Sequence, residues 1–121
     1  MFKWVRELTQ WIFDRLFGSP TGRLPPVIFH KVNHIDAAPP LSEVATDVVY
    51  VVAPKQVLKW AMLICPCGCN EVITLSLQPT HNPHWKLDVA ISGRATLYPS
   101  VWRTTGCRSH FWLKDGRAFW A

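Results

Sequence analysis

The sequence predicts an α+β fold: a small antiparallel β domain with an N-terminal amphipathic helix. Three observations carry that expectation. Apolar residues recur at helical spacing over residues 2–17. From residue 48 onward the chain turns to short, alternating, β-branched runs. Cysteine and histidine gather in two separated clusters, which points to a metal that braces the β domain. At 121 residues the chain fits one such domain. It divides into a helix over 1–18, a Pro-rich loop region over 19–47 and a metal-binding β domain over 48–121.

In the first segment, Phe2, Val5, Leu8, Ile12 and Leu16 follow the helical period, and Trp4, Trp11, Phe13 and Phe17 widen the apolar face. Lys3, Arg6, Glu7, Gln10 and Asp14 fill the polar side. Gly18 suits a C-terminal cap, and Pro20 blocks continuation. Over 19–47, Pro20, Pro25, Pro26, Pro39 and Pro40 predict irregular chain with one short strand at 27–29. His30 and His34 lie here, and the prolines argue against a helix that would make them a chelating pair.

The β domain opens with VVYVVA at 48–53. Further strands are expected at 58–64, 72–77, 85–91, 95–98, 111–113 and 117–120. Pro99 is expected to end the strand before it. Asp115-Gly116 is a hairpin turn signal.

Composition bounds the partners. The formal net charge of +5 permits an acidic protein surface or nucleic acid. The basic residues are scattered, with no polybasic arm. Charged residues make up 17%, below the ~25% typical of soluble domains. Seven Trp are present, a number that suggests some serve a partner or substrate surface. No stretch approaches the ~20 apolar residues of a membrane span, and the N-terminus lacks the order of a signal peptide. A cytoplasmic location is expected, where structural disulfides are disfavoured and thiols need another role.

That role is metal binding. Cys65, Cys67 and Cys69 alternate in ICPCGCN, and Cys107 and His110 stand three apart in GCRSHF. Zinc takes four soft or borderline ligands in a tetrahedron, and two short clusters around a folded insert supply them. Gly68 permits a tight turn, and Pro66 stiffens the approach. Five candidates for four places leave one surplus, which the spacing does not identify. Iron is the rival metal.

The same segment offers catalytic chemistry. Ser109, between Cys107 and His110, is a candidate nucleophile, with a hydrogen bond to a loop amide or a thiolate as its alternative role. The base is open: His110 if it is not a ligand, otherwise His81 or His84. Among the carboxylates, Glu71 is nearest in sequence, with Asp88 and Asp115 further off.

The blocks LICPCGCNEVITLSL and LYPSVWRTTGCRSHFWLKDGRAFWA resemble a family of small bacterial proteins. That family carries a Cys-x-Cys-Gly-Cys block, a Pro-Ser pair and a terminal Cys-x-Ser-His-aromatic block. The first falls on Cys65, Cys67, Gly68 and Cys69, the pair on Pro99 and Ser100, and the last on Cys107, Ser109, His110 and Phe111. Its members are encoded beside ubiquitin-like proteins and their activating and conjugating enzymes, in systems associated with defence against phage. The resemblance covers about residues 41–121 and implies a zinc-binding protein that processes or removes the ubiquitin-like protein. Two positions depart from the pattern: Leu63 stands where the family has His, and Asn70 where it usually has Gly. A catalytic role for that His would leave this chain impaired; a packing role would change little.

The leading expectation is therefore a zinc-binding hydrolase acting at the C-terminus of a ubiquitin-like protein, with Ser109 or zinc-bound water as nucleophile. Trp85, Trp102 and Trp112 would line a groove for the extended tail. The alternatives are a non-catalytic zinc module that binds a protein partner and, less favoured, a nucleic-acid binder.

Overall fold

The computed structural model describes residues 24–121. Among them are eight strands: β1 (Lys31–Ile35), β2 (Val48–Val52), β3 (Trp60–Ile64), β4 (Val72–Ser76), β5 (Lys86–Val89), β6 (Ala95–Trp102), β7 (His110–Lys114) and β8 (Arg117–Trp120). They form two four-stranded sheets, ordered β1-β2-β3-β4 and β5-β6-β7-β8. The expected α+β class is thereby corrected to an all-β architecture. The described residues hold only two short 3-10 turns besides the strands. The amphipathic helix expected at the N-terminus lies outside the described residues.

The sheets share one core. Val49, Val51, Ala61, Leu63, Ile73 and Leu75 come from the first sheet, and Ala95, Leu97, Val101, Phe111, Leu113 and Ala118 from the second. Each set is spaced by two along its strand, so one face of each sheet turns toward the other. Phe29 and Cys65 fill the same core from outside the strands. Burying each large apolar side chain contributes about 1.5–3 kcal/mol, which makes this shared layer the main source of stability.

β2 departs from alternation because both of its faces are covered. Val48, Tyr50 and Val52 pack outward with Val44 and Met62 in a second cluster. The Tyr50 hydroxyl accepts from the Ala45 amide at 3.0 Å and donates to the Glu43 carbonyl, which pins the preceding loop over that face. β1 arises inside the expected Pro-rich loop and pairs with β2 in parallel, whereas the strand expected at 27–29 is reduced to a bridge from Val27 to Arg117. The other strand pairs are antiparallel.

Two local features position the site. Asp115 (φ 49°) and Gly116 (φ 74°) form the two-residue loop of the β7–β8 hairpin. A Cβ at Gly116 would drive into the Phe29 carbonyl oxygen, so the position requires glycine. In β6, the expected strand end at Pro99 proves to be a bulge. Leu97 pairs with Leu113 and Val101 with Phe111, so Tyr98, Pro99 and Ser100 stand where β7 supplies only Trp112. β6 is an inner strand, and proline brings no N–H to a ladder. A bulge is how an inner strand accommodates it.

Candidate active site

Two hairpin loops converge at one end of the sheets. The first joins β3 to β4 and carries Cys65, Cys67 and Cys69; the Cys65 amide donates to the Glu71 carbonyl at 2.9 Å to close it. Gly68, at φ 95°, makes the turn that brings Cys69 back toward Cys65. The second loop joins β6 to β7 and carries Cys107 and Ser109, closed by the Arg103 amide donating to the Ser109 carbonyl at 2.8 Å.

The four cysteine Sγ atoms all lie within 4.8 Å of one another. Cys65 Sγ is 3.4 Å from Cys67 Sγ and 3.7 Å from Cys107 Sγ. A tetrahedron with metal–sulfur bonds of about 2.3 Å has sulfur–sulfur edges of about 3.8 Å. The quartet is therefore close to the size of a tetrahedral metal site, and all four thiols are free.

The surroundings of the quartet favour negative charge on sulfur. The Ser109 hydroxyl lies 3.1 Å from Cys107 Sγ and 3.7 Å from Cys65 Sγ. Its hydrogen bond brings the Cys107 thiol down to about 6 and also lowers Cys67. Burial pushes the Cys65 thiol up to about 12. A metal must displace the proton of Cys65, while Cys107 is ready as thiolate near neutral pH. Arg103 adds positive charge: its Nη1 reaches Cys107 Sγ at 3.5 Å and Cys69 Sγ at 3.8 Å. Its Nη2 donates to Glu71 Oε2 at 2.6 Å, a bond that keeps the guanidinium more firmly protonated than usual.

His110 lies outside this quartet. Its Nε2 is 2.8 Å from Ser100 Oγ. The imidazole stacks on the Trp102 indole, with ring centroids 5.1 Å apart and planes at 14°. His110 pairs with Trp102 across β6 and β7, directly after the bulge, and both Ser100 and His110 are half-buried. A bulge re-aims side chains that a regular pleat would place elsewhere. Here it sets a hydroxyl against an imidazole nitrogen, the geometry of an activated nucleophile.

The other residues singled out in the sequence have different neighbours. His81 Nδ1 is 2.7 Å from Ser76 Oγ, and His84 Nδ1 is 2.9 Å from the His81 carbonyl. Asp115 forms a two-point ion pair with Arg94, its carboxyl held below the usual range by that guanidinium. Trp85 is half-buried, and its Nε1–H donates to the Ser100 carbonyl at 3.3 Å. Trp102 is exposed, at 65%. Leu63 is fully buried in the shared core, so the side chain at that position packs. Asn70 has φ 63°, a left-handed conformation that asparagine tolerates better than most residues after glycine.

Ser100 is the site residue that residue-by-residue reading overlooked. It was visible only as half of the Pro-Ser pair. The signal was a proline inside an otherwise strand-like run, which marks a bulge once the strand is known to be an inner one.

No curated protein and no solved structure matches the chain. The family described as "Bacterial ubiquitination-like system serine protease (BubE)" matches residues 34–121, well over half of the sequence. The matched span holds β2 to β8, the whole cysteine quartet, and Ser100 with His110. The chain thus belongs to the bacterial ubiquitination-like system serine protease family.

Proposed function

We propose that this protein is a serine hydrolase that cleaves a peptide or ester bond at the C-terminus of a ubiquitin-like protein, with Ser100 as nucleophile and His110 as general base. The observation that carries the reading is the 2.8 Å contact between Ser100 Oγ and His110 Nε2 in a chain of a serine protease family. In this reading Ser109 serves the thiolates rather than the substrate.

In the acylation step, Ser100 Oγ attacks the scissile carbonyl carbon while its proton passes to His110 Nε2. His110 must therefore start with Nε2 unprotonated and the proton on Nδ1. The tetrahedral adduct collapses as the C–N or C–O bond breaks, and His110 returns the proton to the departing amine or alcohol. The ester left on Ser100 is then hydrolysed. Water loses a proton to His110, attacks the ester carbonyl, and Ser100 leaves with that proton restored. Trp102, stacked on the imidazole, holds the ring in plane.

The quartet of Cys65, Cys67, Cys69 and Cys107 would hold zinc. Four thiolates complete a tetrahedron and leave no open position, so the ion would be structural. It would tie the β3–β4 loop to the β6–β7 loop, three residues before His110. Arg103 and Ser109 would offset the negative charge that four thiolates bring. The free thiols suit a reducing compartment, and we place the activity in the cytoplasm. No helix among the described residues is long and apolar enough to cross a membrane. The association of such systems with defence against phage forms part of the same reading.

The test is cleavage of a ubiquitin-like substrate bearing a C-terminal extension by wild type, Ser100→Ala and Ser109→Ala at equal zinc content. Loss of cleavage in Ser100→Ala with retention in Ser109→Ala is expected. The reverse pattern would return the nucleophile to Ser109 and overturn the assignment.

A further inference from the structure

The bulge that presents Ser100 carries a structural cost. Between the pairs Leu97–Leu113 and Val101–Phe111, β6 has three residues where β7 has one, so the regular β6–β7 pairing is interrupted there. A partly buried carbonyl without a donor is unfavourable, so something must supply one. For Ser100 the donor comes from a side chain: Trp85 Nε1–H bonds to the Ser100 carbonyl oxygen at 3.3 Å.

Trp85 is itself fixed at its other end. Its backbone N–H donates to the Ser76 carbonyl at 2.8 Å, at the end of β4 in the opposite sheet. Its ring packs against the shared core. It stands immediately before β5, the strand that pairs with β6 from the side opposite to β7. The residue thus links the last residue of one sheet to the bulge of the other. Holding the Ser100 carbonyl fixes the peptide plane after Ser100 and with it the direction of the Cα–Cβ bond. The hydroxyl then meets His110 Nε2 rather than swinging free.

We propose that Trp85 is a positioning residue for Ser100, its indole N–H holding the bulge in the shape that aligns the hydroxyl with His110. The proposal rests on the assignment of Ser100 as nucleophile. In this role Trp85 acts through the Ser100 backbone rather than on the hydroxyl itself.

The experiment compares wild type with Trp85→Phe and with a protein carrying benzothiophenylalanine at position 85. The latter keeps the bicyclic shape and lacks the N–H, so it decides the matter if the phenylalanine variant folds poorly. Three quantities are read on each zinc-loaded protein: kcat and KM for substrate cleavage, and the rate at which a fluorophosphonate labels Ser100 with loss of fluoride. Thermal melting reports folding, and Ser100→Ala is the unlabelled control. Both Trp85 variants should melt close to wild type, keep KM, and lose about tenfold in kcat and labelling rate together, the effect of one hydrogen bond on a barrier. Wild-type labelling of Ser100 matched by the benzothiophene protein would overturn the positioning role while leaving the nucleophile in place. Absence of labelling at Ser100 in the wild type would overturn the nucleophile assignment, and the proposal with it.

Discussion

Ser76 and His81 approach to 2.7 Å, and Ser100 and His110 to 2.8 Å, yet the two pairs sit in opposite settings. Ser76 ends β4 and is 7% exposed. Its hydroxyl also accepts from the Gln78 amide at 3.2 Å, and its carbonyl accepts from Trp85. His81 reaches it through Nδ1 from the following loop, with its ring tilted against Trp60. Every contact to that hydroxyl is local in sequence, as in a turn clamp. Ser100 instead leaves a bulge in an inner strand and meets Nε2 of a histidine on the neighbouring strand, beside an exposed tryptophan. A short serine–histidine distance is therefore not sufficient evidence of a nucleophile. Access, and a hydroxyl not already engaged by a local amide, separate the two pairs.

The largest expected effect sharpens that contrast. Ser100→Ala and His110→Ala should each lower kcat by about a thousandfold or more, and the double variant should be no worse than the worse single one. Ser76→Ala and His81→Ala should leave kcat near wild type. Steady-state cleavage of one substrate by all five variants checks this, and a dead Ser76→Ala that still folds would erase the distinction.

Next comes the cysteine quartet, which includes a residue of the loop leading to one pair and not the other. Cys107→Ser should lose bound zinc and lower the melting temperature. It should also slow labelling of Ser100, because the loop that leads into His110 loses its tether. Metal content and calorimetry measured beside labelling would show whether those losses travel together.

Trp102 offers a smaller effect. Trp102→Ala should lower kcat by about tenfold, from loss of the stacked ring that orients the His110 imidazole, while Trp102→Phe should recover much of it. Unchanged kcat in Trp102→Ala would remove the tryptophan from the mechanism.

The smallest effect belongs to the clamp. Ser76→Ala should cost about 1 kcal/mol of stability, seen as a shift in denaturant midpoint, with kcat untouched.

Much of the β domain could be read directly. The run at 48–52 is β-branched throughout, and the alternation in 72–76 places Ile73 and Leu75 in the core. Asp115-Gly116 marks its own hairpin because the loop needs two residues with positive φ. β1 was not legible, since KVNHI follows a proline stretch and is held by parallel pairing to a strand beyond an intervening loop. The expected end of β6 at Pro99 failed for a related reason. Proline ends a strand in isolation, but here pairing with β7 resumes at Val101 and carries the strand past a bulge.

By itself the sequence determined that this chain builds a β-rich core and carries a set of closely spaced thiols able to hold a metal. Both follow from local spacing: period-two alternation sorts side chains between core and solvent, and close-set cysteines chelate wherever their loop goes. Tertiary structure decided that four thiols meet within 4.8 Å and that His110 turns to Ser100. It also decided that a tryptophan from before β5 satisfies the bulge. Those outcomes depend on strand register and on two loops meeting across separate sheets, and no local pattern encodes the distance between residues that only folding brings together.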